Sequence, residues 1–379
     1  MLRTLIIAQV AVVSVLANGA VLFSTSYLKL MEENELLVTD TVVAAEVSLR
    51  GPRDEENAAR VRFWYELFER VRALPGVSLA AITSKLPLEG GNNTNALLND
   101  ETYDPTQRRL QVERSSATED YFGAMGLRLQ QGRGLQPEDR MGDVRGVVVN
   151  QEFVTKAWPN KSPLGETVRG NNPGKPWFTS RVVGVVDNVK QWGASSPVQA
   201  EMYTTPEGHW GNSAHLVLRS PLPLDQLAPL LRRELAAIDS ELAWKDVRTM
   251  RQVVNHSTQG LRAIAGMVNF FMATALGLVV VGLYGTLSYH VQQRTREIGV
   301  RMAIGAVKAD IVRLVFVQGS RWIAVGLALG LAGSAALSTT LKAQVYRMEG
   351  VTGLPILLAA VAACWIPARL DPLVALRTD

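Results

Sequence analysis

"RTREIGVRMAIGAVKADIVR", residues 294–313, carries four arginines and one lysine against two acids. Ile304, Val307, Ile311 and, just beyond, Leu314 nevertheless keep a helical spacing. The segment is basic and amphipathic, and its neighbours decide its reading. Ala263 to Gln293 before it contains no Asp, Glu, Lys or Arg, and neither does Trp322 to Leu341 after it. A membrane-crossing helix needs about 20 mostly apolar residues. A soluble helix as long as 263–293 would show a polar stripe, and this one does not. The basic segment therefore reads as a short connection between two spans.

Two further uncharged runs, Thr4 to Leu28 and Gly350 to Ala368, bring the expected spans to four. The apolar stretch Leu5 to Phe23 exceeds the core of a cleaved signal, about 7–15 residues, so the first run is expected to be retained. Short cytoplasmic loops carry excess Lys and Arg. Residues 294–321 hold Arg294, Arg296, Arg301, Lys308, Arg313 and Arg321 against Glu297 and Asp310, which predicts a cytoplasmic loop. Arg3, Arg369 and Arg377 agree with it and place both termini inside. The expected layout is a first span in 1–28, an external domain at 29–262, and a second span and the start of a stalk at 263–293. A cytoplasmic segment at 294–321, spans at 322–341 and 350–368, and a tail at 369–379 follow.

The chain has 379 residues, 47% hydrophobic and 20% charged, with a formal net charge of +4. That charge follows membrane topology, because no basic patch is interleaved with aromatics as nucleic-acid binding would require. The one cysteine, Cys364, falls in the fourth run. The external segment thus cannot rely on disulfides, and its roughly 230 residues must bury a sufficient core.

Within that segment, strands are expected at 42–49, 78–83, 110–115, 146–149, 181–186, 215–219 and about 242–247. Helices are expected at 55–73, 151–158 and 224–238, with a further helix leading from Thr249 into the second span. Thr118 is a plausible N-cap for a short helix, and 86–107, rich in Asn, Gly, Asp and Pro, reads as a long loop. The fold class is an α-helical four-span membrane bundle with a large α+β domain inserted between the first two spans.

No catalytic constellation emerges. His209, His215, His256 and His290 lack metal-ligand spacing with one another or with Cys364. Gly170 to Pro176 superficially resembles a phosphate loop. Its glycine gap is one residue short, and Pro176 stands where a Ser or Thr should hold magnesium, so a surface turn is expected. Gly326, Gly330 and Ser334 repeat every four residues, a stripe that lets membrane helices approach closely. Gln9 and Asn18 are polar groups that must find partners within the bundle.

Arg294, Glu297 and Arg301 share one helical face, with Glu297 ahead of Arg301 in the favourable order. Gly305 permits a break, after which Ala306 to Phe316 forms a second amphipathic stretch. One explanation is a helix on the lipid surface; the other is a docking element for a cytoplasmic protein. "TREIGVRMAIGAVKADIVRLVFVQG" resembles the signature of MacB/FtsX-like permeases of ABC transporters. "VERSSATEDYFGAMGLRLQQGRGLQPED", "VVVNQEFVTKAWPNKSPLGETV", "RVVGVVDNVKQWG" and "IPARLDPLVALR" extend the likeness over nearly the whole chain. "LIIAQVAVVSVLANGAVLF" and "RALPGV" look closest to one half of the duplicated permeases.

The resemblance implies docking on a separate ABC ATPase through Glu297, Gly299, Arg301, Gly305, Ala306, Lys308, Asp310, Ile311 and Arg313. ATP and magnesium would then belong to that partner, with no cofactor and no catalytic or metal-binding residue on this chain. It also implies a second permease unit, as a homo- or heterodimer, in the lipid bilayer of the bacterial inner membrane. In an exporter of drug, peptide or lipid-linked cargo a periplasmic adaptor joins them. The other implied task is transmission of force to an external partner such as a cell-wall hydrolase.

Overall fold

The computed structural model describes residues 2–37, 39–49, 57–98, 110–142, 144–170, 178–206, 212–238, 243–293, 300 and 308–341. It divides into two compact units, Met1–Leu30 with Gln259–Asp379, and Met31–Thr258. Each is built on its own logic.

The helical unit draws on three long helices. α1 spans Leu2–Glu33, α6 spans Met250–Gln293 and α7 spans Lys308–Leu341. α1 and α6 are each long and apolar enough to cross a membrane, whereas the apolar part of α7, Arg321–Leu337, is shorter. Ile6, Val10, Val13 and Val279 form a small buried cluster with Ala275, Leu276, Trp322 and Ile323 against it. Met267, Phe270, Phe271, Leu278 and Val281 of α6 instead point outward, as lipid-facing side chains do. The expected span 350–368 and the tail lie outside the described residues.

The other unit contains two sheets. β1 (Val42–Ser48), α2 (Asn57–Arg72), β2 (Leu79–Thr83), β10 (Ser213–Arg219), α5 (Leu224–Ile238) and β11 (Ala243–Thr249) form a βαββαβ motif. Its strands are antiparallel in the order β11-β1-β10-β2. Alternation along β1 turns Val43, Ala45 and Val47 to one face, where Trp64, Leu67, Phe68 and Val71 of α2 and Leu227, Leu231 and Leu235 of α5 cover them. Of the apolar stripe of α2 predicted from Val61, Trp64, Leu67, Phe68 and Val71, the last four supply this core, and Val61 stays half-buried outside it.

Between β2 and β10 the chain inserts a second, mixed sheet. It comprises β3 (Asn93–Leu98), β4 (Leu110–Ser116), β5 (Leu129–Gly132), β6 (Val144–Asn150), β7 (Thr167–Gly170), β8 (Phe178–Val186) and β9 (Glu201–Thr204). The order is β5-β8-β6-β9-β4-β3-β7, and β7 also pairs with β8, so six strands close into a barrel. β4–β9 and β6–β8 are parallel. Val112, Val147, Val149, Val182 and Met202 line the barrel core, and α4 (Gln151–Ala157) adds Phe153 and Val154. Asn150 fixes α4: its Oδ1 accepts from Phe153 N and Glu201 N, and its Nδ2 donates to Gln199 O.

Three local expectations are corrected. Part of the expected loop 86–107 is β3, whose polar Asn93, Thr94 and Asn95 hide a strand that forms only by pairing with β4 and β7. Thr118 is not the cap of α3 (Tyr121–Met125); Asp120 holds that position, and Thr118 Oγ1 accepts from Ile82 N. Thr249 closes β11, and α6 starts at Met250. α3 stops at Gly126, whose φ of 78° favours glycine.

Candidate functional site

Glu297, Gly299, Arg301, Gly305 and Ala306 of the coupling segment lie outside the described residues. Lys308, Asp310, Ile311 and Arg313 fall in the first turns of α7. Two arrangements remain that bear on how such a chain could work: the seam among the long helices, and a strap in the other unit.

The seam is built by small residues. A Cβ added to Gly326 would lie 2.9 Å from Ile7 O, and one added to Gly330 would lie 2.5 Å from Ser14 Cβ. One at Gly333 would lie 3.3 Å from Val15. Ser334, the next small residue of the stripe, is fully buried. Residue numbers rise together along both helices, so α1 and α7 run parallel. Against α6 they run oppositely: Gly19 approaches Val268, Gln9 approaches Gly282, and Asn269 donates to Ser24 Oγ at 3.1 Å. Residues 2–9 and the start of α7 therefore share one end of the bundle with the close of α6. Ser14 satisfies its hydroxyl on Val10 O at 2.8 Å.

The strap is the segment 187–200 between β8 and β9. Behind it lie two fully buried carboxylates, Glu113 on β4 and Glu201 on β9, opposite each other in the parallel register. Lys85 Nζ stands 2.8 Å from Glu113 and 3.5 Å from Glu201. One ammonium thus faces two acids, and neutral donors supply the rest. Glu113 accepts from Asn92 N and Trp192 Nε1, both at 2.6 Å. Glu201 accepts from Ser115 Oγ at 2.6 Å, Tyr203 OH at 2.9 Å, and Gln191 Nε2, 2.9 Å from each oxygen. Burial, with Glu201 beside it, pushes the Tyr203 phenol well above its ordinary range. Tyr121 is raised by burial and then by Glu201. Both phenols therefore remain protonated, and Tyr203 donates to Glu201. An ion pair this deep is costly to break, about 3–5 kcal/mol, because the orphaned charge stays buried.

The strap also reaches two helix ends. Lys190 is buried, and its Nζ donates to Glu33 Oε2 at 2.7 Å and to Ala194 O at 2.8 Å. Glu33 is the last residue of α1. Ala194 N donates to Ser257 Oγ, in the second turn of α6, at 2.9 Å. Leu88 N and Gly90 N donate to the carbonyls of Lys190 and Gln191, and Glu152 N at the start of α4 donates to Asn188 Oδ1. In the sequence the strap shows itself only within the family resemblance of "RVVGVVDNVKQWG". Its partners stand up to 157 residues away, as Glu33 is from Lys190, and no local pattern announces them.

The acids in this network are saturated by donors, and no group of three or more His, Cys, Asp or Glu able to hold a metal exists among the described residues. The arrangement positions elements; it does not activate a reactant. Long apolar helices flanking an α+β domain are the layout of a membrane-anchored protein that carries a water-facing domain. Comparison with known proteins agrees. The family model for the MacB-like periplasmic core domain matches residues 4–235, and that for the FtsX-like permease C-terminal region matches residues 269–370. The chain belongs to the MacB/FtsX-like family of ABC-transporter permeases.

Among its relatives, the macrolide export ATP-binding/permease proteins MacB of Escherichia coli K12 and Shigella flexneri are each 27% identical over 286 residues. The match covers 69% of this chain and 42% of theirs, so the chain spans less than half the length of these relatives. The periplasmic region of MacB from Actinobacillus actinomycetemcomitans is 15% identical, with a TM-score of 0.40, covering 60% of this chain and all but a little (97%) of that one. The extracellular domain of the noncanonic ABC-type transporter YknZ from Gram-positive bacteria is 16% identical, with a TM-score of 0.36, covering 55% of this chain and 100% of that one.

Proposed function

We propose that this chain couples ATP hydrolysis on a separate ABC ATPase to movement of its periplasmic domain, and thereby drives export from the periplasmic side. The observation that carries the reading is the match of both permease modules, in order, within one chain. In this reading four spans cross the bacterial inner membrane, both termini are cytoplasmic, and a second permease unit completes the transporter. The alternating directions of α1, α6 and α7 support that topology. They bring residues 2–9, the end of α6 and the start of α7 to one end of the bundle, where the basic excess of 294–321 marks the cytoplasmic side. Glu297, Gly299, Arg301, Gly305, Ala306, Lys308, Asp310, Ile311 and Arg313 then form the ATPase-coupling element, with Gly305 at its turn.

Gly305→Val tests this. A β-branched residue disfavours a turn and crowds any groove that receives it. The variant is expected to insert normally yet retain its ATPase roughly tenfold more weakly in mild-detergent purification, as a loss of about 1.4 kcal/mol would give. ATP-driven export of a macrolide probe from vesicles should fall with it. Normal ATPase retention with normal export refutes the docking role. Loss that instead follows the removed charge at Arg301 and Lys308, with Gly305→Val silent, assigns the segment to the lipid surface.

A further inference from the structure

We propose that the strap, residues 187–200, is a rigid tie that makes the last turn of α1, the first turns of α6, the four-stranded sheet and the barrel move as one body. This deepens the coupling reading and rests on it for its functional consequence. The structural basis is independent of it.

Each link is a bond to a different element. Lys190 binds Glu33 at the end of α1, and Ala194 N binds Ser257 of α6. Gln191 and Trp192 donate to Glu201 and Glu113 on two barrel strands. The carbonyls of Lys190 and Gln191 receive the amides of Leu88 and Gly90, in the loop that follows β2 of the other sheet. Three consecutive strap residues and Ala194 just beyond thus reach two helices, two barrel strands and the loop after β2.

The chemistry makes the tie stiff. Lys190 is 6% exposed and Gln191 4% exposed, so water does not replace a lost partner easily. Glu113 and Glu201 share one lysine, which makes the neutral donors from Gln191 and Trp192 necessary to their solvation. Pulling the strap outward would therefore leave two carboxylates under-solvated in the interior, and the network resists that motion. There is no room for slack at Gly91 either: a Cβ there would collide with Glu113 and with the Trp192 indole. Lys190 and Gln191 act in this scheme as positioning residues, holding the helix ends and touching no substrate.

Two measurements on the full chain test the tie. In detergent, hydrogen exchange of Lys190→Met is compared with that of Lys190→Arg, which keeps the charge and the donors. The expected result for Met is faster exchange, by roughly tenfold or more, at 30–34, 86–91 and 254–258 together, with β1 and β10 unchanged and Arg near the parent protein. Acceleration confined to 187–200 overturns the proposal, because the helix ends would then be held independently. The second measurement links the strap to α6 covalently through Ala194→Cys and Ser257→Cys, in a Cys364→Ser background, with the ATPase bound. A rigid tie predicts that the oxidised protein hydrolyses ATP and exports a macrolide probe within about twofold of the reduced form. Loss of export on oxidation, restored by reductant, means that the strap must open in each cycle and overturns rigidity. If Gly305→Val refutes ATPase coupling while the exchange pattern of Lys190→Met holds, the tie stands and only its use in transport falls.

Discussion

The two units of this protein are packed in opposite senses. In Met31–Thr258, apolar side chains turn inward: Trp64, Leu67 and Phe68 fill one core, and Val147, Phe153 and Met202 fill the other. Among the long helices, Phe270, Phe271, Leu278 and Val281 turn outward, while Ser14, Asn18 and Ser334 are buried. The same amino-acid chemistry thus serves two solvents. Water drives apolar groups together, and lipid leaves that task to close contact and hydrogen bonding. The glycine seam between α1 and α7 is what close contact looks like when burial of large side chains no longer provides the force.

Truncation inside the water-facing unit should produce the largest effect. Trp64→Ala removes a fully buried ring between α2 and the sheet and is expected to cost about 3–5 kcal/mol. Urea unfolding of the full chain in mild detergent should show this in the transition of the external domain, with helix content of the spans retained. A change below about 1 kcal/mol would mean that this core carries little of the stability assigned to it.

Reversing polarity on the outward face of α6 should come next. Leu278→Asp places a carboxylate near the middle of the 263–293 run, at an insertion cost of about 2.5–3.5 kcal/mol. The fraction of chain integrated into membranes should drop, whereas Leu278→Ala should leave it nearly unchanged. Equal behaviour of the two would contradict a lipid-like environment for that face.

The smallest effect sharpens the contrast by pH. Burial lowers His215 to about 4; Glu46 and Asp246 nearby oppose the shift, and Arg248 adds to it. Above the unfolded value of about 6.5, folded and unfolded chains both carry neutral His215, and its full contribution is present. As pH falls from there toward 4 only the unfolded chain gains the proton, so stability is lost over that window. Allowing for partial solvent screening, about 2 kcal/mol should disappear between pH 7 and pH 4. His215→Gln should flatten that slope in the unfolding of the external domain. An unaltered slope would assign the acid sensitivity to other groups.

Much of this architecture was legible in the sequence, and the exceptions are instructive. The uncharged runs marked α1, α6 and the apolar part of α7, because a span must be nearly continuous. α5 was read from Leu224 to Ile238, its actual bounds, from its strong two-sidedness. β9 was invisible: Glu201, Met202, Tyr203 and Thr204 are all buried, so neither face shows the polar alternation that announces a strand. β7 is four residues long and gains its identity from closing the barrel. The strap is the extreme case. Lys190 and Glu33 look like two ordinary surface charges until the fold brings them within 2.7 Å. Spacing can reveal a helix face, but it cannot reveal a bond across most of a domain.

The sheets also differ in what they expose to other chains. Closing β7 onto β8 removes most free strand edges from the barrel and leaves the short β5 as its fringe. The four-stranded sheet is open, with β2 and β11 at its margins. β2 is partly covered, since Thr83 bridges to Ala117. β11 is guarded differently: its register slips against β1 between Ala44 and Glu46, and Asp246 takes a φ of 55° there. A kinked, charged margin is a poor template for a stray strand. In a domain without disulfides, the irregular backbone at Asp246 thus guards the one margin of this sheet that no bridge covers among the described residues. Straightening β11 would raise the hazard of aggregation even where it improved the sheet.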